Sequence, residues 1–146
     1  MKIKTHNSPF LLSRNFSVFI LLILLPGFFS EAAAQAKPAW NYPASANTLK
    51  NPLAGNTSVL KEARILYLNN CAPCHGKSGK GDGIAAAALN PKPADHTSDL
   101  VQKESDGAIF WKMSEGHTPM PAYKSTLTVK QRWELVNYIR SLAKHK

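Results

Sequence analysis

The chain has 146 residues, with 18 Lys/Arg against nine Asp/Glu, a formal charge of +9, and only two cysteines. This length leaves room for one small domain beside any targeting segment. Two cysteines three apart cannot form a disulfide framework, and no compact basic run suits nucleic acid, so both classes are set aside.

Lys2, Lys4 and Arg14 make a basic start, Phe16 to Phe29 is nearly all apolar, and Ala32-Ala33-Ala34-Gln35-Ala36 follows. Basic head, apolar middle and Ala-x-Ala end describe a secretory signal peptide over 1–36, cleaved after Ala34 or Ala36. A retained anchor is the rival, but a span needs about 20 apolar residues and this run is broken by Pro26-Gly27. The expected location is the periplasm or another exported compartment, with no stable membrane span once the signal is cleaved. A retained segment would make the protein membrane-tethered. Residues 1–34 hold three Lys/Arg and one Glu, so their loss leaves a charge of +7.

Residues 37–56 hold three prolines and a glycine without periodicity, which predicts an extended arm. It either lies along the domain or hangs free, and Trp40 and Tyr42 suggest that part of it packs. The folded domain is expected over 57–146. A helix is predicted from Thr57 or Ser58, with Val59, Ala63, Leu66 and Asn70 on one face and Leu60, Tyr67 and Cys71 on the next. Gly76, Gly79, Gly81 and Gly83 demand a loop. Ile84 to Leu89 allows a turn or two of helix before Asn90-Pro91-Lys92-Pro93. Thr97 to Lys103 reads as a short helix. Ser105 or Asp106 caps another that ends at Glu115–Gly116. Residues 117–127 form a loop, and Thr128-Val129-Lys130-Gln131 is a capping box opening a helix over 129–144. That helix places Val129, Trp133, Val136, Ile139 and Arg140 along one side. No strand is predicted, so the domain is all-α. Helices this short need tertiary packing, and a large buried planar cofactor would supply it.

Cys71-Ala72-Pro73-Cys74-His75 is the Cys-x-x-Cys-His pattern of c-type haem attachment. Two thiols at this spacing can add to the two vinyl groups of a porphyrin edge, and the next residue lies under the ring centre, where imidazole binds iron. Three rivals exist. A thioredoxin-type dithiol wants a strand before it and a βαβ context. Zinc needs two more ligands, and His96 and His117 lie 21 residues apart. A plain disulfide leaves His75 unexplained.

For the sixth iron ligand the candidates are His96, Met113, His117, Met120 and His145. Met113 lies mid-helix among apolar residues and suits the core. His145 lies in a basic tail, and His96 follows a Pro-rich loop and reads as a surface residue. Met120 lies between Pro119 and Pro121, which restrict its loop. Met120 is therefore preferred, with His117 or an open site as alternatives.

With these residues in view, positions 57–144 resemble class I cytochromes c of the small, mono-haem bacterial type. The resemblance rests on Cys71-x-x-Cys74-His75-Gly76, Gly79-Lys80-Gly81-Asp82-Gly83, Pro91-Lys92-Pro93-Ala94-Asp95, Thr118-Pro119-Met120-Pro121 and the final aromatic helix. It implies helices wrapped round one covalent haem c and a crossing of the first and last helices. There Tyr67 would meet Trp133, Val136 or Tyr138. It also implies a backbone carbonyl that accepts the His75 N–H. Many relatives have proline after the glycine loop where this chain has Ile84, which leaves the donor of that carbonyl open.

Met opposite His raises the potential relative to two nitrogen ligands and leaves no position for substrate. The expectation is an electron carrier cycling Fe(II)/Fe(III), not an enzyme. The alternative is a haem-bearing subunit or docking partner of a larger oxidase or dehydrogenase, with the arm as docking segment. A haem sensor with a labile ligand is the third class. Two haem propionates would bring the charge to about +5. Lys77, Lys80, Lys92 and Lys124 are placed to ring the haem edge and steer the protein to redox partners with acidic docking patches.

Overall fold

The computed structural model describes residues 40–143. The expected signal segment, the first residues of the arm and His145 lie outside the described residues. Five α-helices occur in them: α1 (Leu60–Asn70), α2 (Ala72–His75), α3 (Asp99–Gln102), α4 (Asp106–Glu115) and α5 (Val129–Leu142). Short 3₁₀ turns lie at Ala44–Thr48 and Ala86–Ala88. Among the described residues the β pairing is one isolated bridge, His117 to Met120. The fold is all-α.

The largest packing contact is α1 on α5. Tyr67, Leu135 and Val136 are the largest fully buried side chains. The Tyr67 and Tyr138 rings meet at 4.9 Å, as the family resemblance implies for the crossing. α4 packs beside α5, with Phe110 stacked on Trp133 at 4.0 Å. Arg132 lays its guanidinium over the other side of this layer, 4.7 Å from the Phe110 ring, and donates to the Ser114 hydroxyl. An aromatic stack extended by a cation adds to the area buried.

Several ends form as their residues dictate. The Ser105 hydroxyl accepts from Ala108 N and caps α4, and Gly116 follows its last turn. Thr128 and Gln131 form the full capping box of α5. The predicted start of α1 is moved. Asn56 Oδ1 takes both the N–H and the hydroxyl of Ser58, so neither Thr57 nor Ser58 caps the helix, which begins at Leu60. Ile84 to Leu89 yields one 3₁₀ turn, and Asp99–Gln102 is shorter than the predicted 97–103, because Ser98 is its cap. Val129, expected on the buried side of α5, is 58% exposed at the first position of that helix.

Residues 40–56 lie along the domain. Ala46 is buried against α4, where Gly107 leaves the space: a Cβ there would collide with the Ala46 carbonyl and come within 2.9 Å of Leu49. Asn51 Nδ2 donates to both Asp106 and Asn137 at 2.8 Å, and Asn137 donates to the Leu53 carbonyl. Arg140 Nε completes the knot on Asp106 at 2.8 Å. The arm is thus tied to α4 and α5 by paired polar groups.

The crossing predicts a clear contrast in stability. Leu135→Ala removes a side chain with no exposure and should cost about 2–5 kcal/mol. Leu100→Ala, at 74% exposure, should stay within about 0.5 kcal/mol. Urea titration of the purified variants followed by Trp fluorescence measures both.

Candidate functional site

α1 runs directly into the two-cysteine turn. Cys71 N bonds to Tyr67 O at 2.8 Å and closes α1, and His75 N bonds back to Cys71 O at 2.8 Å within α2. Pro73 falls in the first turn of α2, where its missing N–H leaves no gap. Cys71 is buried, Cys74 is half-buried, and they are not disulfide-bonded. Burial, then the neighbouring Cys74, pushes the Cys71 thiol up to about 12. A reactive dithiol requires the opposite shift. A thiol converted to a thioether carries no charge, so the same burial suits covalent attachment. Among the described residues no group of three or more His, Cys, Asp or Glu could hold a metal ion.

His75 is buried, and its Nδ1–H donates to the Ala94 carbonyl at 2.9 Å. The proton on Nδ1 fixes the tautomer and leaves Nε2 with its lone pair, the form of imidazole that can bind a metal. The carbonyl left open by Ile84 therefore belongs to Ala94, after the second proline of the next loop. Ile84 is 95% exposed.

His96 departs from its surface reading. It is buried and stacked on His75, with ring centroids 4.0 Å apart and planes 17° from parallel. Its Nδ1 and the Tyr67 hydroxyl are hydrogen-bond partners at 3.0 Å. Burial, then the neighbouring His75, holds its pKa well below the usual range, so it is neutral. Gly79 makes room: at φ +82 it offers its carbonyl to His96 N at 2.6 Å, and a Cβ there would press on Leu142 at 2.7 Å. Asp95 folds the same loop by accepting from Thr97 N and Oγ1 at 2.7 Å. No periodicity reaches a loop residue, so nothing local in the sequence marked His96 as buried.

Met120 is half-buried and packs against the core cluster that includes Cys71 and Ala72. His117 N donates to Met120 O at 2.9 Å and Met120 N to His117 O at 2.8 Å, which closes the turn between them. His117 itself is exposed, and its ring meets Trp40 at 5.3 Å. Met113 is 3% exposed in the core, as expected for a packing residue. Tyr123 is a site residue that the sequence reading missed. Its hydroxyl donates to Asn70 O at 2.7 Å, and its N–H to Met113 O at 3.1 Å. It thereby ties the methionine loop to the end of α1, one residue before Cys71. Burial, then Cys71 and Cys74, pushes its phenol up to about 12, so it stays a donor.

The four lysines of the expected ring differ. Lys77 and Lys80 are exposed. Lys92 Nζ donates to the Ala86 and Ala87 carbonyls, and Lys124 pairs with Glu115 at 2.6 Å. Gly83 N and Ala85 N bond to Cys74 O and Pro73 O, so exposed Ile84 sits beside the attachment turn.

These features are an imidazole whose Nδ1–H is taken by a backbone carbonyl, two adjacent thiols without a disulfide, and a thioether on a separately anchored loop. They fit a covalently held haem. Among curated proteins none matches this chain. A solved structure, from the Kuenenia stuttgartiensis reducing HAO-like protein complex, is similar at TM-score 0.56 and 27% identity. The likeness covers 64% of this chain and 49% of that one, so this chain spans about half of its neighbour's length. The family model described as cytochrome C oxidase, cbb3-type, subunit III matches residues 58–139. That is more than half of the chain, and the chain belongs to this family: it is a c-type cytochrome whose covalently bound haem serves electron transfer.

Proposed function

We propose that this protein is an exported one-electron carrier with one haem c, bound through Cys71 and Cys74 and ligated by His75 and Met120. The observation that carries the reading is the His75 Nδ1–H bond to Ala94 O at 2.9 Å, one residue beyond the two thiols. Bound haem iron supplies the Fe(II)/Fe(III) couple. The residues do the rest. Cys71 and Cys74 hold the porphyrin edge, Ala94 keeps His75 in the iron-binding tautomer, and Tyr123 with the His117–Met120 turn holds the thioether in place. A position filled by Met120 leaves no site for substrate, which suits a carrier. No helix among the described residues is long and apolar enough to cross a membrane.

The docking face we propose is the surface round Ile84, with Lys77 and Lys80 exposed in the loop that leads to it. An apolar centre with a basic rim fits a transient redox partner with an acidic rim. A second reading is a subunit of a larger oxidoreductase. It is favoured by the family's description as an oxidase subunit and by a neighbour that is itself a protein complex. Isolation of the native protein as a stable complex rather than alone would select it.

Covalent attachment is tested by acid–organic extraction. The colour should stay with the polypeptide, and Cys71→Ala with Cys74→Ala should abolish that retention.

Ligation by Met120 predicts a weak far-red sulfur-to-iron band in the Fe(III) spectrum. Met120→Ala should let the reduced protein bind carbon monoxide. Met120→His should lower the potential with haem retained, because imidazole favours Fe(III). Met113→Leu should do neither, being a volume-conserving core change. A wild type without the band, whose potential Met120→His leaves unchanged, would point to His117 instead.

Charge steering predicts that electron transfer to an acidic partner slows as salt rises, because Lys77 and Lys80 are screened beyond about 8–10 Å at physiological ionic strength. Stopped-flow rates across a salt series measure this. A rate indifferent to salt would assign docking to Ile84 and its apolar surround alone.

A further inference from the structure

We propose that the N-terminal arm braces the distal loop, and that Trp40 is a positioning residue for Met120. This rests on the reading of Met120 as an axial ligand.

The arm reaches the loop along a continuous set of contacts. The 3₁₀ turn Ala44–Thr48 is seated on α4 over Gly107, and Asn51 fastens its far end to Asp106 and Asn137. Ser105 Oγ donates to Asn47 Oδ1 at 2.6 Å and fixes the middle. From this base the chain runs back to Tyr42 and Trp40, which lie over Lys112 near the end of α4, at 4.8 and 5.9 Å from its ammonium. Lys112 is held in turn by Glu104. The cation is therefore fixed, and two rings lie against it. Trp40 then meets the His117 ring at 5.3 Å, with planes tilted by 49°.

His117 is the residue that closes the turn carrying Met120, through the two backbone bonds between them. The loop is anchored on its C-terminal side by Tyr123 on Asn70 and Met113. On the N-terminal side, Gly116 N bonds to Lys112 O, and the same Lys112 carries Trp40 on its ammonium. His117, Thr118, Pro119, Pro121 and Ala122 are exposed, so the turn has water on its outer side. Trp40 is the ring that covers His117 there. A thioether is a weak iron ligand, and its hold depends on how rarely its loop opens. A ring contact of this kind shifts such an opening equilibrium by roughly two- to tenfold. The rings of the arm serve the protein's own ligand rather than lying ready for a partner.

The test uses haem-loaded protein and azide, which binds Fe(III) only when the methionine leaves. Trp40→Ala should tighten apparent azide binding by roughly two- to tenfold and speed its association. Trp40→Phe, which keeps a ring, should recover most of the wild-type value. His117→Ala should match Trp40→Ala, and the double variant should show no further gain, because both remove one contact. If Trp40→Ala fails to mature, His117→Ala against wild type carries the same comparison. A purely structural role would lower the unfolding midpoint and leave azide affinity unchanged, and that result overturns the proposal. A wild type without the far-red band that binds azide tightly would overturn the Met120 reading and this inference together. Wild type with the band, and variants with unchanged azide affinity, overturns this inference alone.

Discussion

The hydrogen bond from His75 Nδ1–H to the Ala94 carbonyl, 2.9 Å long, is the contact on which the site depends. It joins two stretches 19 residues apart and decides the chemistry of the ring. An imidazole with its proton on Nδ1 presents Nε2 to iron, and one with the opposite tautomer does not. The bond holds only if Ala94 comes close, and the loop is built to bring it there. Pro93 precedes it, Asp95 folds the chain back through Thr97, and Gly79 receives His96 N at 2.6 Å. His96 then stacks on His75 and meets the Tyr67 hydroxyl at the centre of the α1–α5 crossing. The helix crossing and the histidine are therefore one packed unit. A change at Tyr67 would reach the His75 ring through a single intervening side chain, His96.

The buried polar groups here are few and mostly paired, as a small core requires. Tyr67, His96 and Tyr123 each have a defined partner, and each is kept neutral by burial. No charge has to be desolvated beside the iron by these three groups. That arrangement suits a centre whose own charge changes by one at each cycle, because neutral neighbours do not shed or take protons in response.

The sequence made the local rules legible. Ser105 and the Thr128–Gln131 box start helices and Gly116 stops one where capping chemistry places them, and the spacing of Cys71, Cys74 and His75 carries the expectation of haem attachment. Long-range contacts were not legible. His96 looked like a surface residue because it follows prolines, and nothing local signals that Gly79 and Tyr67 close over it. The residue whose carbonyl accepts from His75 Nδ1–H is not legible because it comes from a loop 19 residues away. Thr57 and Ser58 both satisfy the composition of a cap, but Asn56 competes for Ser58. The packing of residues 40–56 on α4 depends on the absence of a side chain at Gly107, which reads in sequence as an ordinary helix-weakening residue. Tyr123 lay in a segment marked only as loop.

The two residues we propose as axial ligands are secured differently, and this bears on how the protein meets others. His75 is held on the proximal side by its short helix, one carbonyl and a stacked ring. Met120 sits on a loop tied to the end of α1 by Tyr123 and to α4 near Lys112. The arm, with Trp40 and Tyr42, is engaged with α4 and that loop. An arm used this way is poorly suited to serve as a free docking segment, because its rings would have to leave Lys112 and His117 to reach a partner. A partner that docks instead on the face we propose, at exposed Ile84 beside the attachment turn, need not displace the arm. On the proposed attachment, electrons leaving by that route would cross the macrocycle edge that Cys71 and Cys74 hold. On the proposed ligation, the thioether that would set the potential then stays clear of the contact through which the electron would pass.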